Sequence, residues 1–170
     1  MNLGLKKGIV QLSDYNSLWT DEFEKEKSIL QEALGDYVLE IEHIGSTAIP
    51  GMKAKPIIDI LLATNSLDDV DSFSPFLNDL GYVYRENASD EVHLVFAKGF
   101  EESRTHYLHI ATLNSLIWKN DRYFRDTLQN DAELAKEYED LKISLANQYS
   151  DDRTKYTEGK KVFIEKVLNS

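Results

Sequence analysis

The chain has no cysteine, only three prolines and only two methionines in 170 residues. Without thiols there is no disulfide, no thiolate metal site and no cysteine nucleophile. Basic residues are also scarce: 19 Lys and Arg stand against 30 Asp and Glu, a formal charge of −11. A non-specific nucleic-acid binder, or a protein that coats an anionic membrane, needs a basic surface, and this balance argues against both. It leaves room for a compact phosphate site lined by a few lysines and arginines. No apolar run approaches the roughly 20 residues of a membrane span. Residues 1–7 have neither a long apolar core nor a small-residue cleavage site, so no secretory signal is expected and the expected location is cytoplasmic. No repeat, low-complexity tract or linker divides the chain. Its length suits one domain over 1–170, and 42% hydrophobic residues suffice for a substantial core.

What is present centres on residues 40–62. Residues 37–44 are β-branched and alternate, which predicts a strand. Residues 56–62 form a nearly unbroken apolar run, which predicts a buried strand. One carboxylate, Asp59, interrupts that run. An unpaired buried carboxylate costs several kcal/mol, roughly, so this acid needs a partner or a ligand. Between the two strands Gly45 and Ser46 open a small-residue loop, where backbone N–H groups can approach an anion closely.

Along the rest of the chain, apolar spacing predicts helices over 16–34 and 70–80, with Ser13 or Asp14 as cap of the first. Residues 9–12 read as an edge strand or an extended arm. Strands are predicted over 82–85, 92–97 and 105–112. In the last of these Tyr107, His109 and Ala111 face one way, and His106, Leu108 and Ile110 the other. Helices follow over 120–127, 131–148 and 154–168. The candidate division is a sheet-bearing core over 1–113 and a helical part over 114–170.

Each candidate residue has a chemical and a structural reading. Gly45-Ser46 is a phosphate loop or a plain turn. Asp59 serves a metal or substrate, or pairs with Lys55. His43, His106 and His109 are general bases or metal ligands, or satisfied half-buried residues. Glu42 is a second carboxylate or faces water. Lys160-Lys161 reaches a phosphate or lies on an exposed helix face.

The run Glu42-His43-Ile44-Gly45-Ser46-Thr47-Ala48-Ile49-Pro50-Gly51, followed by Lys55-Pro56-Ile57-Ile58-Asp59-Ile60, resembles the core signature of the GrpB family. The resemblance continues through Arg104-Thr105-His106-Tyr107-Leu108-His109-Ile110, Phe124-Arg125-Asp126-Thr127-Leu128 and Tyr138 to Tyr156 and Lys160-Lys161-Val162-Phe163-Ile164. GrpB-like domains occur alone and fused behind dephospho-coenzyme A kinase domains. The resemblance implies an α+β fold, with a small mixed sheet of the nucleotidyltransferase type, flanking helices and a helical C-terminal segment. It implies a nucleotidyltransferase-like protein that takes a nucleoside triphosphate and Mg²⁺ or Mn²⁺, or a module that binds a nucleotide or phosphorylated metabolite without transfer. Gly45, Ser46 and Thr47 would contact phosphate, with Lys55, Arg104 and His106 neutralising or orienting it. Asp59, His43 and His109 would be catalytic, and Asp59, Glu42 and His109 would hold metal. The superfamily pattern places a second carboxylate two residues after the first; here Leu61 stands there. Either Glu42, His43 and His109 rebuild a different site around Asp59, or transfer is lost.

Overall fold

The computed structural model describes residues 3–170. Helix α1 (Leu18–Leu34) buries Trp19, Phe23, Glu26, Leu30 and Leu34, one stripe of a 3.6-residue period. The expected caps Ser13 and Asp14 are not used; Leu18 donates its N–H to Asn16 Oδ1 at 3.0 Å instead. A 3₁₀ turn, Gly35–Tyr37, takes up the first residue assigned by alternation to the following strand, so β1 runs Glu40–Ile44. Strand β2 (Ile58–Thr64) is buried at every position except Asp59. Helix α2 (Val70–Asp79), β3 (Tyr82–Tyr84), β4 (Leu94–Phe100) and β5 (Ser103–Thr112) follow. The sheet order is β1-β2-β5-β4-β3. Strand β2 pairs antiparallel with β1 and parallel with β5, while β3, β4 and β5 form an antiparallel edge. This is the mixed α+β sheet that the sequence predicts.

A central strand flanked on both edges explains the apolar run: each face of β2 is covered. Ile58, Ile60 and Leu62 join Leu108, Ile110 and Phe96 in the main core under α1 and α2. On the opposite face, Leu61, Ala63 and Ile44 pack on Trp118 of α3 (Leu116–Asn130). Asp59 shares that second face by strand alternation.

Helices α3, α4 (Ala132–Gln148) and α5 (Arg153–Gly159) each begin at a side-chain cap: Ser115, Asp131 and Asp152 accept from the N–H of Trp118, Leu134 and Lys155. The single helix expected over 154–168 is two, α5 and α6 (Lys161–Leu168), joined at Lys160. Close packing marks the joint: a Cβ on Gly159 would lie 2.5 Å from Leu145 Cδ2. Residues 9–12 do not extend the sheet. Val10 donates its N–H to the Ser150 carbonyl at 2.7 Å, and its side chain packs with Leu145 and Tyr156. The N-terminal arm thus ties the helical tail to the sheet. Among the described residues no helix is long and apolar enough to cross a membrane.

Candidate functional site

Asp59 is the second residue of β2, and its register partner on β1 is Ile44, the last residue of that strand. The chain leaves β1 through Gly45, so the antiparallel pairing brings the glycine over the carboxylate. Gly45 has φ +70°, and a Cβ there would lie 2.6 Å from Asp59 Oδ2. Only glycine satisfies both the left-handed backbone and the contact. The Asp59 side chain is 32% exposed, enough for a ligand to reach it. Ser46 opens a single 3₁₀ turn, Ser46–Ala48, and its hydroxyl lies against the Tyr138 phenol of α4.

Cationic side chains gather near this acid from three places in the chain. Lys55 lies on the segment entering β2, with its Nζ 5.4 Å from the centroid of the Tyr156 ring. Lys160, at the α5–α6 joint, lies 4.8 Å from the centroid of the same ring. Arg153, at the start of α5, donates from Nη1 to the Tyr107 hydroxyl at 2.9 Å and from Nη2 to the Ile9 carbonyl at 2.9 Å. Tyr107 is the register partner of Asp59 on β5. Burial, Lys160 and Arg153 push the Lys55 ammonium down to about 7, against the pull of Asp59. Burial also lowers Lys160, again with Asp59 opposing and Arg153 adding. Among the described residues neither lysine has a carboxylate oxygen within 4.0 Å; His109 Nε2 stands 3.9 Å from Asp59 Oδ1. Burial pushes the Asp59 carboxyl up, but His109, Lys55 and Lys160 outweigh it and hold it below the usual range. Two lysines therefore face one ionised acid, with Arg153 close to both, in a protein that is acidic overall.

His109 belongs to the same face. It sits beside Leu61 in the parallel register of β2 and β5, so it stands next to the position the superfamily pattern gives to a second carboxylate. Its Nδ1 lies 2.9 Å from Nε2 of His93, just before β4. Asp121 of α3 completes the cluster. Burial raises its carboxyl, Asp59 adds to that, and His109 opposes it.

The remaining expected residues lie elsewhere. Glu42 is on the Asp59 face of β1, but Arg125 of α3 donates from Nη1 to its carboxylate at 2.6 Å, and Arg122 approaches at 3.8 Å. The expected metal set of Asp59, Glu42 and His109 therefore does not assemble. Among the described residues no group of three His, Asp or Glu side chains could hold a metal ion. His43 occupies the opposite face of β1, stacked on Phe23 of α1 with ring centroids 4.7 Å apart. Burial, countered in part by Asp59, lowers it to about 4. Its Nε2 is 3.0 Å from the Thr47 hydroxyl, so His43 and the buried Thr47 brace the loop from the face opposite Asp59. Arg104 is buried and donates from Nη1 to the Gly99 carbonyl at 3.0 Å, under the bridge that Leu5 makes to its backbone. His106 is buried on the core face of β5, with Nδ1 against the Thr105 hydroxyl. Strand alternation is the common reason: residues neighbouring the site in sequence point to the other side of the sheet.

Two surface clefts lie off the Asp59 site. One, about 270 Å³, is lined by Phe23, His43, Glu42 and Arg125. The other, about 570 Å³, runs between the loop at Ile49–Met52 and the α3–α4 junction. The chemistry follows the convergent charges, and neither cleft includes Asp59, Lys55 or Lys160. Arg153, His93 and Asp121 carried no motif; Tyr156 stood only in the stretch that resembles the family, and of these tail residues Lys160 was visible, with Lys161, as a candidate phosphate contact.

The fold and this face can be set beside known proteins. The glutamate-rich protein GrpB of Alkalihalophilus pseudofirmus is 40% identical over 171 residues, with 98% of each chain covered. The crystal structure of GrpB from Enterococcus faecalis is 31% identical and superposes with a TM-score of 0.85 over 94% of this chain and 95% of that one. The Cid1 poly(U) polymerase has a TM-score of 0.50 at 12% identity, over 76% of this chain and 45% of its own, which places the sheet and its helices in the nucleotidyltransferase fold. The sequence model described as GrpB protein matches residues 9–170. That span holds the Gly45 loop, the Asp59 strand and the Lys160 joint alike, and the chain belongs to the GrpB family.

Proposed function

We propose that the Asp59 face binds a nucleoside triphosphate or another small phosphorylated molecule. The observation that carries this reading is the gathering of Lys55 and Lys160 around Asp59, with Arg153 close to both lysines and, among the described residues, no carboxylate oxygen within 4.0 Å of any of the three. Buried like charges are costly to hold together unless an anion offsets them. A chain of phosphates supplies that charge, and the ammonium and guanidinium donors suit its oxygens. The side chain missing at Gly45 leaves the loop backbone close to Asp59, where a phosphate can approach. The Cid1 polymerase, described as bound to MgATP, shares the fold, and that likeness supports a nucleotide by analogy only.

A two-metal transfer centre does not fit these residues. Leu61 offers no oxygen, Glu42 is bonded to Arg125, and the carboxylates and His109 do not form a three-ligand group. Nucleotidyl transfer to a small acceptor stands as a second reading because Asp121 brings another carboxyl to the side of Asp59 and His109. Calorimetry with ATP and inorganic triphosphate, each with and without Mg²⁺ or Mn²⁺, separates the two. Metal-independent binding that Lys160→Gln weakens about tenfold or more supports the binding module. Binding that requires metal, is lost in Asp59→Ala and is accompanied by pyrophosphate release supports transfer. No binding of any phosphate ligand overturns both.

A further inference from the structure

We propose that His93 is a positioning residue that, together with Asp59, fixes His109 as an Nε2–H donor facing Asp59, so that His109 serves an anion and not a metal. This deepens the phosphate-binding reading and rests on it for its consequence. The two imidazoles are joined through His93 Nε2 and His109 Nδ1 at 2.9 Å, with their planes 15° apart. A neutral pair joined in this way has one donor and one acceptor nitrogen at the contact. The other nitrogen of His109 decides which is which. His109 Nε2 faces Asp59 Oδ1 at 3.9 Å, and that carboxylate is ionised. A lone pair directed at a carboxylate is repelled, and an N–H is attracted. His109 therefore carries its hydrogen on Nε2, leaves Nδ1 as acceptor, and receives the Nε2–H of His93.

His93 is suited to the task. Burial, with His109 adding to it, pushes its ring down to about 4, against the nearby Asp90, so it is neutral at physiological pH. The hydrogen bond also holds the ring plane of His109, which stands beside Leu61 rather than beside a second strand carboxylate. An Nε2–H can donate to a phosphate oxygen arriving over Asp59. It has no lone pair for a cation. The missing carboxylate at Leu61 and the tautomer of His109 thus agree: both turn this face away from metal chemistry.

The test is a long-range ¹H–¹⁵N correlation on the full chain at neutral pH, which reports the protonated nitrogen of each of the four histidines. The expected wild-type result is Nε2–H for both His93 and His109. In His93→Phe, which keeps a ring and removes the donor, His109 is expected to show a readable fraction of the Nδ1–H form. In His93→Gln, whose amide can still donate, the Nε2–H form is expected to be retained. His43 and His106, each held by a threonine, report in the same spectrum that the fold persists. Nδ1–H at His109 in the wild type overturns the proposal, and this arm needs no variant to fold. A tautomer unchanged in a folded His93→Phe overturns it as well. Inorganic triphosphate added to the same samples separates the two proposals: a fixed tautomer without binding sinks the phosphate site and leaves the role of His93 standing.

Discussion

At Gly45 two demands meet in one residue: a backbone at φ +70° and a distance of 2.6 Å from where a Cβ would stand to Asp59 Oδ2. Replacing it with alanine forces a left-handed residue and a clash with a carboxylate that His109 already holds. The expected cost is about 1–2 kcal/mol from the backbone alone, read as a shift in the denaturation midpoint, with loss of phosphate binding beside it. Lys160 behaves in the opposite sense. Its charge is resisted by burial and by Arg153, and it lowers Lys55 in turn. Lys160→Gln is therefore expected to leave the fold as stable or more so, while weakening triphosphate binding about tenfold or more, the scale of one charge-assisted hydrogen bond. Paired denaturation and calorimetry read both quantities. Stability exchanged for affinity is the mark of a side chain kept for a ligand.

At the scale of elements, α1 and the sheet share a buried polar link. Glu26 of α1 accepts from the Tyr82 hydroxyl at 3.0 Å and from Lys98 Nζ at 2.7 and 2.9 Å. Lys98→Met leaves this acid buried with one neutral partner, and is expected to cost about 3 kcal/mol in a chemical denaturation series. Replacing both, Glu26→Leu with Lys98→Met, is expected to recover most of that. Elements with a clear period were legible in the sequence. The apolar run around Asp59 is the central strand β2, and the alternation that separates Tyr107 and His109 from His106 and Leu108 is the division between the two faces of β5. The same alternation excludes His43, His106 and Arg104 from the site, although they are its neighbours in sequence. Arg153 and Lys160 could not be found in this way. Lys160 reaches Asp59, and Arg153 reaches Lys55, across more than ninety residues of chain, and helical spacing does not state which strand a helix will cover. The break at Gly159, hidden in a continuous helical pattern, sets where α5 ends and leaves Lys160 at the joint beside Tyr156.

For the molecule as a whole, the acidic balance and the cationic face are one statement about charge. Most carboxylates lie on solvated surfaces, and the lysines of the site are held where water is scarce. Burial takes Lys55, and Lys142 of α4, whose Nζ donates to the Lys53 carbonyl, to about 7, well below an unfolded lysine near 10.4. The folded state then binds fewer protons than the unfolded state between those values. Stability should rise with pH from about 7 toward 10, and the full penalty for both charges is present below 7. Urea midpoints across that range check the sign. A bound polyphosphate restores the charge on Lys55, so binding above pH 7 should take up protons. The most direct test of the account is calorimetry of inorganic triphosphate at pH 8 in two buffers of different ionisation enthalpy, on the wild type and Lys55→Gln. The account predicts binding with proton uptake in the wild type and a tenfold or greater loss of affinity, with the uptake gone, in the variant. Triphosphate binding that is equal in both proteins, or absent from the wild type, would contradict it.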